Sequence, residues 1–163
     1  VFSYGHRNPQ GLAWQPGTDK LYATEHGPRG HDEVNLLQAG GNYGWPEVRG
    51  QEGEGTAFSA PVLESGGSTW APSGAAFCDG PCHPGLSGRF LFAGLRSTAL
   101  WWVDLDSQQS VQARPLLEGR YGRIRDVVQG PDGSLYLLTS NRDGRGSPSP
   151  EDDRLLRVVP GRR

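Results

Sequence analysis

The stretch DVVQGPDGSLYLLTS, residues 126–140, decides the fold class. An apolar pair leads into Gly-Pro-Asp-Gly, and the chain returns through Leu-Tyr-Leu-Leu-Thr. Turn residues at a fixed offset between two alternating runs specify a β-hairpin. The same layout recurs at GLAWQPGTDKLYATE (11–25), again with a Pro-Gly turn and a return strand ending in an aromatic and Thr. It recurs once more at 73–95, where the turn is longer and carries CDGPC. Each hairpin is followed by another apolar run: DEVNLLQ (32–38), ALWWVDLD (99–106) and RLLRVVP (154–160). Widely spaced copies of one hairpin unit are the mark of a β-propeller or solenoid. An antiparallel sandwich also uses short strands and Gly-rich turns. The propeller is preferred because the repeated element includes its turn as well as its alternation. No apolar stripe persists at helical spacing for three turns. Residues 46–68 and 141–153 read as long loops.

Composition bounds the rest. The 163 residues include 25 Gly and 13 Pro, no Met and only 34% hydrophobic residues, yet five each of Trp, Tyr and Phe sit within short apolar runs. That combination suits a turn-rich all-β domain long enough to bury a core. A net charge of −2 gives no general reason to expect nucleic acid or an acidic membrane as partner. No run approaches the ~18 apolar residues of a transmembrane helix. The chain opens on Val1 within a strand-like run and shows no signal peptide, so the expectation is a piece whose upstream sequence is missing. Cys78 and Cys82, with His83 beside them, leave three readings open: a small disulfide loop, a pair of free thiols, or zinc with ligands still to find.

Two constellations suggest chemistry. EHGPRGHDEVN (25–35) is dense in oxygen donors: a Gly-Pro turn exposes main-chain carbonyls, and Asp32 and Glu33 add carboxylates. Mixed carbonyl and carboxylate oxygen is calcium chemistry; a solvated acidic turn is the plainer alternative. YGRIRDV (121–127) sets Arg123 and Arg125 two apart on a strand-like run, so both side chains share a face. Their forked donors suit the carboxylates of a ligand; an ion pair with Asp126 or Glu118 is the alternative. Arg7, ahead of one strand, and Arg96, past another, follow the same logic. None of the four histidines sits in a nucleophile motif, and GQEGEG (50–55) is too acidic to cradle phosphate.

Together RNPQGL (7–12), EHGP (25–28), DEVNLL (32–37), GGNYGWP (40–46), WAPSG (70–74) and GRIRDVVQGPDGSLYLLT (122–139) resemble the glucose/sorbosone dehydrogenase family. These are the soluble, pyrroloquinoline-quinone-dependent aldose sugar dehydrogenases. The resemblance covers nearly the whole chain with the motifs in the family's order. It implies a six-bladed β-propeller of which residues 1–163 are a partial domain, roughly the last three blades, with the N-terminal blades missing. It further implies pyrroloquinoline quinone and Ca2+ as cofactors, and oxidation of an aldose at its anomeric carbon by hydride transfer to the quinone. By motif match, Arg7 and Asn8 would contact the quinone's reactive carbonyl side. Gly27 and Pro28 would give main-chain oxygens to calcium. Arg123, Arg125 and Arg96 would meet cofactor carboxylates, and Thr69 would line the pocket. Glu33 and Tyr43 match positions that hold a second, structural calcium in some relatives. The family's proton-abstracting His lies upstream of this chain, so no general base is assigned. A half-propeller is expected to be inactive by itself. The implied setting is periplasmic or secreted, with an aldose as partner, an unspecified electron acceptor and a homodimer to be tested. The rival reading is a non-catalytic propeller binding module that keeps the calcium turn.

Overall fold

The computed structural model describes residues 1–105 and 111–159. The ends of two expected runs, Asp106 and Pro160, lie outside the described residues. The chain forms three antiparallel sheets in succession. The first is β1 (Pro9–Trp14), β2 (Leu21–Glu25), β3 (Glu33–Leu37) and β4 (Leu63–Glu64). The second is β5 (Pro72–Phe77), β6 (Phe90–Gly94), β7 (Ala99–Val103) and β8 (Ala113–Leu116). The third is β9 (Ile124–Gln129), β10 (Leu135–Thr139) and β11 (Leu155–Val158). Within each sheet the strands run in sequence order. This is the meander of a β-propeller blade, repeated three times. The expected hairpins are β1–β2, β5–β6 and β9–β10, and the run after each is the third strand.

One expectation needs correction. Residues 46–68 are not bare loop: a 3-10 turn at Gly50–Gly53 and strand β4 lie within them. The fourth strands β4 and β8 had no counterpart in the reading of hairpins. Cys78 and Cys82 form a disulfide, which removes the thiol and zinc alternatives.

The first strand of each sheet is the innermost. Between blades one and two the core is aromatic, with Tyr22, Phe77, Phe90, Phe92 and Trp70 packed at ring-centre distances of 5.3–6.4 Å. Between blades two and three it is aliphatic, built from Leu91, Leu100, Ile124, Val127, Leu135 and Leu137 around the disulfide. The outward faces remain apolar too: Leu12 and Trp14 on β1 are 57% and 63% exposed, and Leu138 and Leu155, directly paired on β10 and β11, are 43% and 67% exposed.

Inner strands approach closely because each seam carries a glycine. A Cβ on Gly11 would lie 2.3 Å from the Ser73 carbonyl oxygen, and one on Gly74 would lie 1.7 Å from Asp126 Oδ1 and 2.9 Å from its Cα. Backbone cannot give way as a flexible side chain can. Gly74→Ala is therefore expected to open the β5–β9 seam and destabilise the full-length protein by roughly 2 kcal/mol. The check is the midpoint of urea unfolding; an unchanged midpoint would show that the seam is not tightly packed.

Candidate active site

Strands β1, β5 and β9 begin at the same end of the sheets, where the turns joining second to third strands also lie. The residues singled out as cofactor or metal contacts fall at that end, except that Tyr43 comes from the loop after β3 and its hydroxyl points to the far end of that strand. A continuous set of contacts links them. Arg7 Nη1 donates to the His26 carbonyl (3.1 Å), and His26 Nε2 meets the Pro72 carbonyl (2.6 Å). The Trp70 carbonyl, next to exposed Thr69, accepts from the Arg96 backbone N–H (3.0 Å). The Leu95 carbonyl accepts from Arg123 Nη1 (3.2 Å). Below this rim a groove of about 350 Å3 follows the inner strands past Gln10, Gly11, Ser73, Gly74, Arg125 and Asp126.

Three non-glycine residues at the rim hold positive φ: His31 (53°), Ala71 (48°) and Thr98 (51°). Such conformations persist where the surroundings over-determine them, often at functional sites. Asp32 does this for two of the turns. Its carboxylate is buried and accepts from the backbone N–H groups of Gly27 (2.9 Å), Trp70 (2.6 Å) and Ala71 (2.8 Å). Asp32 was expected to offer its carboxylate to a cation. It is not the solvated turn residue of the plainer alternative, since both of its oxygens accept main-chain N–H groups.

Glu25, also buried, anchors the first rim segment. Oε1 accepts from the backbone N–H of Arg7 and from that of Asn8 (3.0 Å), while Oε2 meets His6 Nδ1 (2.9 Å). The GGNYGWP loop packs beneath: Tyr43 stacks on His6 with ring centres 4.5 Å apart, and the Arg7 guanidinium lies 5.3 Å from the Trp45 ring centre. This explains why two motifs distant in sequence occur together. The sequence had shown Glu25 only as a motif letter.

Strand pairing places Glu25, Glu33 and Glu64 opposite one another across β2, β3 and β4. Like charges in register destabilise a sheet unless each is matched. Glu25 has His6 and Glu64 has His31 (3.0 Å). Glu33, in the middle, has only the neutral Asn35 amide (3.0 Å) and the Gly50 N–H (2.7 Å). Burial above all, with Glu25 and Glu64 adding to it, holds the Glu33 carboxyl above the usual carboxylate range. Its ionisation is thus disfavoured in the folded state. The stability it contributes is full below about pH 4 and is lost as pH rises through its raised folded value. In the calcium-free full-length protein, stability is expected to fall over that interval, and Glu33→Gln is expected to flatten the fall. Parallel pH–stability curves for the two proteins would contradict this.

The donor set also tests the fit of a cation. The Gly27 and Pro28 carbonyls accept no hydrogen bond from any described residue. Both line a cavity of about 10 Å3 together with Arg7, Glu25, Glu33 and Tyr43. That is room for one water or ion. Asn35 Oδ1, fully buried nearby, lacks a partner. The Tyr43 hydroxyl is already engaged by the Leu36 carbonyl and the Gln38 N–H, so only its main-chain oxygen could serve a metal. Among the described residues no three His, Cys, Asp or Glu side chains converge as a metal site, so carbonyls must supply much of any coordination sphere.

Arg123 and Arg125 come together as expected, although Arg123 precedes β9 rather than lying on it. What holds them is neither Asp126 nor Glu118 but Asp143, 2.7 Å from Arg123 and 3.7 Å from Arg125. Arg123 is buried and also donates to the Leu95 and Ser140 carbonyls, leaving two of its five N–H groups uncommitted. Arg125 is more open, its side chain 42% exposed. The Arg123 hydrogen bond holds the Asp143 carboxyl below the usual range, which keeps it ionised. Asp143 was missed because NRDGRG reads as a solvated loop.

Comparison with known proteins bears on this rim. The glucose/sorbosone dehydrogenase family model matches residues 1–157. An aldose sugar dehydrogenase of Escherichia coli is 36% identical over 174 residues, spanning 98% of this chain and 44% of that protein. The pyrroloquinoline-quinone-bound aldose sugar dehydrogenase of Streptomyces coelicolor superimposes with a TM-score of 0.82 at 42% identity, covering 96% of this chain and 44% of that one. The apo-form soluble aldose sugar dehydrogenase of E. coli gives 0.78 at 34% identity, with 99% and 47% covered. The chain therefore spans less than half the length of these relatives.

Proposed function

The chain belongs to the glucose/sorbosone dehydrogenase family, and from that premise we propose that it forms part of an aldose sugar dehydrogenase that uses pyrroloquinoline quinone and calcium. The observation that carries this reading is the meeting of unlike groups at one point: free Gly27 and Pro28 carbonyls, with the Arg7 guanidinium on the neighbouring His26 carbonyl. Hard oxygen donors beside a directional cation suit a ligand that is part chelator and part anion. Arg7 and Asn8 would hold the reactive carbonyl side of the quinone, their backbone fixed by Glu25. Arg125, with the remaining donors of Arg123, would meet its carboxylates, and Arg96 and Thr69 would close the pocket. Gly27 and Pro28 would bind the calcium, with Glu33 and the Tyr43 carbonyl holding a second one. When bound, the quinone supplies a two-electron acceptor for hydride from the anomeric carbon, and calcium supplies Lewis acidity. The protein's share is placement and charge.

The apolar outward faces of β1 and of the β10–β11 pair would be covered by the other blades of a six-bladed ring, so residues 1–163 alone would be inactive. The disulfide fits a periplasmic or secreted setting. Among the described residues no helix is long and apolar enough to cross a membrane.

The test is dye reduction by the full-length product with calcium, pyrroloquinoline quinone and a panel of aldoses. Wild type is expected to reduce dye in a sugar-dependent way, and Arg125→Ala is expected to need about tenfold more quinone for half-maximal rate. A folded protein that binds quinone but oxidises no aldose would refute the substrate class. One that binds none would favour the binding module.

A further inference from the structure

Beside the rim a cleft of about 370 Å3 opens between the turn 117–123 and the loop 141–154. Five arginines line it, Arg96, Arg120, Arg123, Arg145 and Arg154, against one carboxylate, Asp152. In a chain of net charge −2 this is a local reversal of sign. Arg154 is matched by Asp152 and Glu151, and Arg123 by Asp143. Arg120 and Arg145 make no ion pair with any described carboxylate. Neither belongs to the set read above as facing the quinone.

The cleft floor is rigid. Buried Asn141 accepts from the Arg123 N–H (2.8 Å) and donates to the Tyr121 carbonyl (2.9 Å). Between them Gly122 holds φ +70°, and a Cβ there would lie 2.2 Å from Asn141 Oδ1. The loop on the other wall is tied down as well, since Asp143 accepts from the Arg145 backbone N–H (3.0 Å) while bound to Arg123. Two guanidinium groups without a carboxylate partner thus extend from opposite walls whose backbone is fixed, the Arg120 group 5.4 Å from the Tyr121 ring centre. Each fork can take a pair of oxygens. A carboxylate carries a single negative charge and would leave one of the two guanidinium charges unmatched. A phosphoryl group has oxygens enough for both and a charge near −2 to match them.

We propose that this cleft binds a phosphoryl dianion, inorganic phosphate or the phosphate of a phosphorylated sugar, with Arg120 and Arg145 as its two forks. The cleft shares Arg96 and Arg123 with the proposed quinone rim, but its two forks, Arg120 and Arg145, lie outside that set, and the proposal does not depend on that reading. The test is titration calorimetry of the full-length protein, in phosphate-free buffer, with inorganic phosphate and with glucose 6-phosphate, with and without saturating pyrroloquinoline quinone. Both ligands are expected to bind. Their affinity should fall at least tenfold in Arg120→Ala and in Arg145→Ala, fall with added salt, and binding should persist at saturating quinone. Thermal unfolding of both variants should match wild type. Glucose 6-phosphate binding at least tenfold tighter than phosphate would identify a sugar phosphate as the ligand; equal affinity would identify the phosphoryl group itself. Absence of binding, binding insensitive to both substitutions, or displacement by the quinone would each overturn the proposal.

Discussion

Glu25→Leu in the full-length protein is expected to weaken quinone binding by about tenfold or more and to cost roughly 3 kcal/mol of stability. The reason lies in what Glu25 holds. Its Oε1 is the shared acceptor for the Arg7 and Asn8 backbone N–H groups, and Oε2 is the partner of His6. Without it two part-buried N–H groups lose their acceptor, and the segment that aims Arg7 is no longer fixed. Glu25→Gln separates this positioning role from charge. A glutamine Oε1 can still accept both N–H groups, so quinone affinity should stay within a few-fold of wild type. A direct titration reads binding apart from turnover. Equal loss in Gln and Leu variants would mean that the negative charge matters, and not the acceptor geometry.

The second large effect is at Asp32. Asp32→Ala removes the acceptor for Gly27, Trp70 and Ala71 at once, and about 4 kcal/mol is expected for three orphaned N–H groups facing a former carboxylate. Here the conservative variant should not rescue. Both oxygens accept, so Asp32→Asn must turn its amide N–H2 towards a backbone N–H on one side. Asp32→Asn is therefore expected to unfold at nearly as low a denaturant concentration as Asp32→Ala. A near-wild-type midpoint for Asp32→Asn would show that one of these bonds contributes little. The opposite responses of Glu25 and Asp32 to amide substitution follow from geometry, since Glu25 gathers its backbone N–H donors on one oxygen and Asp32 divides its three between two.

The hairpins were readable because turn and alternation repeat together; GPDGSLY and PGTDKLY each announce a strand, a turn and a strand. The fourth strands were not. Leu63–Glu64 is too short to alternate, and ARPL places Pro115 in β8, which an outermost strand tolerates and a central one does not. At the site the cations were legible by type and spacing, and their carboxylate partners were not. Asp143 lies beyond β10 in a stretch whose composition suggests only solvation, yet it bridges Arg123 and Arg125. Asp32 and Glu33 are adjacent acids in the same turn, alike as letters. One is consumed by backbone donors and the other left without a cation, a difference that depends on where Trp70 and Gly50 arrive in space. Spacing also left the cysteine pair undecided, because a five-residue loop fits a disulfide and free thiols equally.

The most direct measurement is a crystal structure of the full-length protein grown with calcium and pyrroloquinoline quinone. The account predicts quinone density over the ends of the inner strands, Arg7 and Asn8 at its carbonyl side, Arg125 at its carboxylates, and a cation on the Gly27 and Pro28 oxygens. Quinone bound elsewhere, or a cation-free Gly27–Pro28 turn beside a bound quinone, would contradict it.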